Sequence, residues 1–221
     1  MARSSRRRPE RPPRSTRAAA GPEADDAASP PRIIGGDLRR RRLAHEPDGR
    51  TRPMKDRVRE ALFDLLGVSV RGGLALDLFA GTGALGFEAI SRGAARAVFV
   101  ERHFPTADTI RRSARELDVA DRCDVRSGDV LLWSRRMPEL PAAPHWIVFI
   151  SPPWAFFGAD HEHHAPLLAL IDAIGRAAPP GSTLVVEADT TFDPAALPDA
   201  AAWTTRPIPP AVLHFREIGP R

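Results

Sequence analysis

Leu74-Ala75-Leu76-Asp77-Leu78-Phe79-Ala80-Gly81-Thr82-Gly83-Ala84-Leu85-Gly86 is the stretch whose reading decides the fold. Leu74 to Phe79 is an apolar run interrupted only by Asp77, the pattern of a strand buried on both faces. Ala80 to Gly83 cannot continue it and reads as a turn. Ala84 to Arg92 then has the composition of a helix. A strand, a glycine turn and a helix in that order form the first half of a βαβ unit.

The same alternation continues downstream. Ala97-Val98-Phe99-Val100-Glu101 reads as a second strand, and Phe104 to Leu117 as a helix. Cys123-Asp124-Val125 starts a short third strand. Trp146 to Ile150 is the fourth, Pro166 to Ala178 a helix, and Thr183 to Glu187 the fifth. Trp203 to Ile208 and Val212 to Ile218, around Pro209-Pro210, read as an antiparallel pair. Apolar strands separated by helices imply an α/β fold with a parallel sheet covered on both faces.

Upstream, Arg32-Ile33-Ile34-Gly35-Gly36 reads as a strand entering a tight turn, and the basic run Arg39 to Arg42 completes a small hairpin. Val58, Leu62, Phe63, Leu65 and Leu66 follow at the spacing of one helix face, with Lys55, Arg57 and Arg59 expected opposite. Residues 1–31 are rich in Arg, Pro, Ala and Ser without an apolar pattern, so a disordered basic arm is expected. The organisation read from sequence is therefore an arm at 1–31, a hairpin and helix at 32–70 that binds RNA, and a main domain at 71–221.

Composition narrows the class. The 221 residues are 43% apolar, enough for a core, and carry a net charge of +4. The pI of about 10.6 overstates surface basicity. There is no Tyr, one lysine and one cysteine, so little but arginine remains to titrate at high pH. A lone Cys123 excludes an intramolecular disulfide and a cysteine zinc cluster. No apolar run is long enough to span a bilayer, and no secretory signal is visible, so a cytoplasmic protein is expected.

Gly81, Gly83 and Gly86 have G-x-G-x-x-G spacing, a weak signal alone that its place between strand and helix strengthens. Asp77 decides which ligand the turn suits. A carboxylate there repels a pyrophosphate and attracts a cation bearing an amino group and a sulfonium, namely S-adenosylmethionine. Glu101, closing the second strand, is placed for two ribose hydroxyls, and Asp129, after the third, for the adenine amino group. Each acid alone reads equally well as a solvated strand end or a helix cap; three at successive strand ends do not. The fourth strand ends in Ser151-Pro152-Pro153-Trp154. Two prolines force the chain out of the sheet at its carboxyl edge, where open α/β sheets bind ligands. A hydroxyl, a carbonyl and an indole held together suit a planar base with an exocyclic amine.

These residues resemble the RsmD family of bacterial small-subunit rRNA (guanine-N2) methyltransferases. The resemblance runs from about Arg32 to Ile218. It rests on Arg32-Ile33-Ile34-Gly35-Gly36, on Arg52-Pro53 with Asp56-Arg57-Val58-Arg59-Glu60, and on Asp77 to Gly86. It implies the class I S-adenosylmethionine-dependent methyltransferase fold: a Rossmann-like, seven-stranded sheet with an antiparallel C-terminal strand pair, here with an N-terminal hairpin and helix extension. It also implies S-adenosylmethionine as donor and a guanine in 16S rRNA, free or in an assembling 30S particle, as acceptor. The family usually carries Asp where Ser151 stands; Ser-Pro-Pro-Trp resembles the motif of the cap trimethylguanosine synthases.

The catalytic residues expected are Ser151, Pro152, Pro153 and Trp154. Ser151 Oγ and the Pro152 carbonyl accept from the amine while Trp154 stacks on a base withdrawn from its helix or loop. A neutral hydroxyl accepts a weaker hydrogen bond than a carboxylate, so slower chemistry than in an Asp version is expected. The expected cofactor site comprises Asp77, Phe79, Ala80, Gly81, Thr82, Gly83, Glu101, Arg102, Asp129 and Val130. RNA-backbone contacts are assigned to Arg39, Arg40, Arg41, Arg42, Arg52, Lys55, Arg57 and Arg59. Phe156 and Phe157 suit either the base pocket or the core. His161, Glu162, His163 and His164 read as a solvated loop, and a monomer acting without metal or membrane is expected. The competing readings are a catalytically impaired methyltransferase fold that binds RNA or ribosomes, an amino-methyltransferase for another RNA or DNA base, and an NAD-dependent oxidoreductase supported by the glycine spacing alone.

Overall fold

Side chains alternate across the strands, and that alternation divides the core into two layers. In the computed structural model, which describes residues 30–45 and 54–220, Ile147 and Phe149 join one layer while Val148 and Ile150 join the other. The strands are β1 (Leu74–Asp77), β2 (Arg96–Glu101), β3 (Cys123–Ser127), β4 (Trp146–Ile150), β5 (Thr183–Ala188), β6 (Thr204–Ile208) and β7 (Ala211–Glu217). The helices are α1 (Asp56–Leu66), α2 (Ala84–Ser91), α3 (Phe104–Glu116) and α4 (His164–Ala177).

The seven strands form one sheet in the order β3-β2-β1-β4-β5-β7-β6. The first five in sequence pair in parallel, and β7 runs antiparallel to both β5 and β6. The expected parallel sheet and C-terminal antiparallel pair are both present. One face carries α1, α2 and α3, with Leu62, Phe63, Phe87 and Ile110 packed on Phe99, Phe149 and Val185. The other carries α4, with Leu167, Leu170, Ile171 and Ile174 on Leu76, Val148 and Val186. Gly86 lets α2 lie close to β2: a Cβ there would come within 2.2 Å of the Phe99 ring. Cys123 opens β3, and burial pushes its thiol up to about 12, so it stays protonated and unreactive.

Boundaries differ from the sequence expectation by a residue or two. β1 ends at Asp77 because the chain bends into the turn, although Leu78 N still donates to Phe149 O at 3.1 Å. The expected N-terminal hairpin has a single antiparallel bridge, Arg32 to Arg42. Residues 1–29 of the expected arm and Arg52 lie outside the described residues.

Glu88 explains the Ile33-Ile34-Gly35-Gly36 run. It is fully buried on α2. Its carboxylate accepts from Ile34 N at 2.7 Å, Gly35 N at 2.8 Å and Arg92 Nε at 2.8 Å. Gly36 has φ +73° and lies so close to Ser91 that a Cβ would come within 1.9 Å of its carbonyl oxygen. The run therefore docks on the end of α2 through backbone amides. Arg59 belongs to the same assembly, which corrects its assignment to RNA. Its side chain is 1% exposed. It donates to Arg32 O at 2.7 Å and Asp56 Oδ1 at 2.8 Å, and its Nε lies 3.9 Å from Glu88. A 3.6-residue period places Arg59 one step from Val58, at the edge of the apolar stripe, and the buried Glu88 draws it inward.

Removing one partner of a buried ion pair costs more than the pair contributes, because the remaining charge stays desolvated. Glu88→Gln leaves Arg59 and Arg92 without their shared anion. It should destabilise the chain by about 3 kcal/mol, read as a lowered urea midpoint at unchanged slope.

Candidate active site

The pairing register sets the site. Asp77 is opposite Phe99 and Phe149, and Ile150 is opposite Val186. Continuing one or two residues along each strand places Glu101, Phe79, Ser151 and Glu187 in one row at the carboxyl rim. By the two-residue period Glu101, Ser151 and Glu187 point to the same face as Phe99, Phe149 and Val185, whereas Phe79, past the end of β1, packs on the other layer against Phe156. Neighbouring strands are about 4.8 Å apart, so Glu101 and Ser151, two strands apart, are about 10 Å from each other.

The glycine turn is held from beneath by two acids. Asp77 is 1% exposed, and its Oδ2 accepts from Gly86 N at 3.0 Å. Glu101 accepts from Gly81 N at 2.8 Å through Oε2 and from His103 N at 2.8 Å through Oε1. Each carboxylate oxygen has a further lone pair for a ligand hydroxyl. Gly81 and Gly83 have φ of 49° and 76°, a left-handed bend that suits glycine. Thr82 and Ala80 are buried under the bend. Phe79 is half-buried, its ring edge-on to Phe156 at 6.4 Å. Arg102 is exposed beside Glu101, and Phe104 stands 66% exposed at the start of α3. Asp129 is exposed at the end of the loop after β3, and Oδ1 accepts from Leu131 N at 2.9 Å. Val130 is buried in the second core layer.

Ser151 follows β4 directly, and its Oγ donates to Glu187 Oε2 at the end of β5. Pro152 is buried and Pro153 exposed, with Pro153 O accepting from Phe156 N at 2.9 Å to start a short 3-10 turn over Trp154–Phe157. Trp154 is half-buried against the core layer beneath α1, α2 and α3. Phe156 and Phe157 are core residues: Phe156 packs against His163 at 4.3 Å and Phe157 against Phe192 at 4.5 Å. Among the described residues no group of three His, Cys, Asp or Glu side chains is placed to hold a metal ion. Nor is any helix there long and apolar enough to cross a membrane.

Glu187 had no assigned role in the sequence reading. A signal was available, since a carboxylate closing an apolar strand repeats the pattern of Asp77 and Glu101. What the chain alone did not disclose is that β4 and β5 are neighbours. Burial raises the Glu187 carboxyl above its ordinary range, and the Ser151 hydroxyl pulls it partly back.

The basic residues fall into two groups. Lys55 and Arg57 are exposed at the start of α1, where Arg57 donates to Pro209 O in the β6–β7 turn, at the carboxyl rim. Arg39 to Arg42 lie on the hairpin, and all four are exposed. The hairpin turn lies by the C-terminal ends of α2 and α3, where Asp37 N donates to Ser91 O and Arg41 Nη2 to Glu116 O. That end of the helices is away from the rim. Two surface cavities of about 500 and 660 Å³ also lie at the amino edge, and neither is lined by a residue of the rim row.

Burial pushes Asp77 up to about 7, with the Gly86 amide opposing and Glu101 adding to the rise. The folded chain thus retains a proton that an unfolded chain releases near pH 3.8. The Asp77 contribution to stability is complete below that pH and is lost as pH rises towards 7. Asp77→Asn keeps an acceptor for Gly86 and removes the titration. Its melting temperature should exceed that of the parent at pH 8, with the gap closing by pH 4, in a thermal-unfolding series without ligand.

Comparison with known proteins is consistent with this geometry. Ribosomal RNA small subunit methyltransferase D of Escherichia coli K12 is 37% identical over 123 residues, covering 56% of this chain and 60% of that protein. The chain spans between 53% and 62% of the length of the first curated relatives it matches. A hypothetical protein of Thermus thermophilus superposes with a TM-score of 0.63 at 26% identity, over 85% of this chain and 99% of that one. An RNA methyltransferase of Salinibacter ruber, solved with S-adenosyl-L-homocysteine, has a TM-score of 0.56 at 21% identity, over 77% and 95% of the two chains, and shares the fold. The profile of the family described as "Conserved hypothetical protein 95" matches residues 31–204. With its class I methyltransferase sheet and that match over most of its length, the chain belongs to this family, the RsmD family.

Proposed function

We propose that this protein transfers a methyl group from S-adenosylmethionine to the exocyclic N2 of a guanine in small-subunit (16S) rRNA. The observation that carries the reading is the rim row itself. It sets a glycine turn buttressed by Glu101 about 10 Å, by strand spacing, from the hydroxyl of a Pro-Pro-Trp turn. That spacing suits a donor on one side and a flat base on the other.

The residues fit the donor. The positive-φ glycines bring backbone close to a ligand, Glu101 offers lone pairs to two ribose hydroxyls, and Asp129 and exposed Phe104 border the adenine position. When bound, S-adenosylmethionine supplies an electrophilic methyl on a sulfonium. Asp77, buried beneath the turn, gains a reason to ionise from such a cation. On the acceptor side Ser151 Oγ and the Pro152 carbonyl hold the amine, and Trp154 offers its ring to the base. The guanine amine is a weak nucleophile, so alignment supplies most of the acceleration. An rRNA substrate implies action in the cytoplasm, where ribosomes assemble.

Lys55 and Arg57 stand nearest the reacting base, and the hairpin arginines extend the footprint along the α2–α3 side. Neutralising Lys55 and Arg57 should weaken RNA binding and lower its salt slope by about two. Neutralising Arg39 to Arg42 should change the slope with less effect on the rate of transfer. Filter binding across a salt series, with single-turnover rates, checks both.

The test of the function is nucleoside mass spectrometry of 16S rRNA from cells with and without the gene; loss of N2-methylguanosine is expected, and N6-methyladenine or N4-methylcytosine would point to another base. Ser151→Ala should lower single-turnover transfer by about tenfold or more with cofactor affinity, by calorimetry, unchanged.

A further inference from the structure

We infer that Glu187 is the proton acceptor behind Ser151, restoring to the catalytic turn the carboxylate that the Ser-Pro-Pro-Trp sequence lacks. The inference rests on the methyl-transfer reading above and identifies a residue that acts through Ser151 rather than on the base.

The geometry comes from two strands far apart in sequence. Ile150 pairs with Val186, so Ser151 and Glu187 leave adjacent strands at the same level and on the same face. The Ser151 hydroxyl donates to Glu187 Oε2. A hydroxyl has one proton, and Glu187 takes it. The Ser151 oxygen is then left with lone pairs only on its open side, and it can meet an incoming N–H solely as an acceptor. Glu187 therefore fixes the polarity of Ser151. Without it the hydroxyl is free to rotate and to offer its proton to the amine lone pair, the wrong partner for the reaction.

Glu187 also completes the chemistry. As N2 attacks, a C–N bond forms to the donor's methyl carbon and the C–S bond breaks, its electron pair leaving with sulfur. The amine then carries one proton too many. That proton passes to Ser151 Oγ as the serine proton passes to Glu187. A sulfonium and a carboxylate become a neutral thioether, a neutral methylated base and a neutral carboxylic acid, so charge and atoms balance. An Asp at position 151 would do this in one step. Ser151 with Glu187 does it in two. Glu187 is 8% exposed, which keeps bulk water from competing for the proton. Burial raises its carboxyl, making it a stronger base than an exposed glutamate. His214, on β7 opposite Val186, packs beside the same strand, but its Nδ1 is engaged with Thr205 Oγ1 at 2.9 Å and the burial of its ring lowers its proton affinity. Asp77 and Glu101 also lie on this face of the rim, and both already accept backbone amides of the glycine turn or its surroundings.

The relay makes a prediction that a purely structural glutamate does not. The ionised form of Glu187 is the active one, so the single-turnover rate should rise with pH through its raised titration and then level. In Glu187→Gln the rate should fall by about tenfold or more at pH 8. The rise with pH should disappear, and the KM for RNA and the affinity for S-adenosylmethionine should stay within about twofold. Glu187→Asp should recover part of the rate and the pH dependence. Ser151→Asp combined with Glu187→Gln should be faster than Glu187→Gln alone, because the carboxylate returns at the other position. Rates are measured with radiolabelled S-adenosylmethionine on unmodified 30S subunits and on unmodified 16S rRNA. If Glu187→Gln unfolds, Ser151→Ala reads the same relay and should also lose the rise with pH. A parent-like rate and pH profile in Glu187→Gln overturns the inference while leaving the proposed function standing. No transfer by the parent protein to either RNA overturns both.

Discussion

The hydrogen-bond register of the parallel strands is the constraint on which the rest of this molecule depends. Each of β1, β2, β4 and β5 contributes one residue at or just past its last ladder bond, and the ladder aligns those residues in a row. A slip of one residue in any pair would turn its member of the row to the opposite face. The apolar layers resist that slip, because the same shift would drive Phe99, Phe149 or Val185 into the opposite layer, which is packed around Val98, Val148 and Val186. Site geometry and core packing are thus enforced by one set of contacts.

Acids serve as structural ties before they serve as ligand groups. Asp77 and Glu101 satisfy amides of the glycine turn and its surroundings, Asp129 caps the short turn that follows it, and Glu88 holds the N-terminal run on α2. A left-handed glycine bend exposes N–H groups that would otherwise need water. A carboxylate can satisfy them and retain lone pairs, so a turn built this way is ordered before any ligand arrives. Pre-ordering lowers the entropy cost of binding.

In the proposed relay, Ser151 and Glu187 compensate across the sheet for a local departure from the family pattern. Taken within its own tetrapeptide, Ser151 reads as a weakened site. Beside β5 it has a buried carboxylate for a partner. The chemistry proposed for the turn therefore involves both strands, and the strength of a neutral acceptor is set by what it donates to.

Much of the fold was legible in the chain because parallel strands buried on both faces are written as continuous apolar runs, and because prolines and glycines mark where they end. The Gly81 turn, the acids Asp77, Glu101 and Asp129 and the Pro-Pro exit after Ile150 needed only that local grammar. Arg59 and Glu187 did not yield to it. Arg59 looked like one more cation on a basic helix, and only the approach of α2 brought Glu88 near enough to draw it inside. Glu187 looked like a strand end until the sheet order set β5 beside β4. Sequence by itself determined the elements, their chemistry and the edge where they gather, since those follow from periodicity and backbone sterics. Tertiary structure alone decided which charges are buried and which side chains share a proton, because those depend on distances between residues that the chain order leaves free.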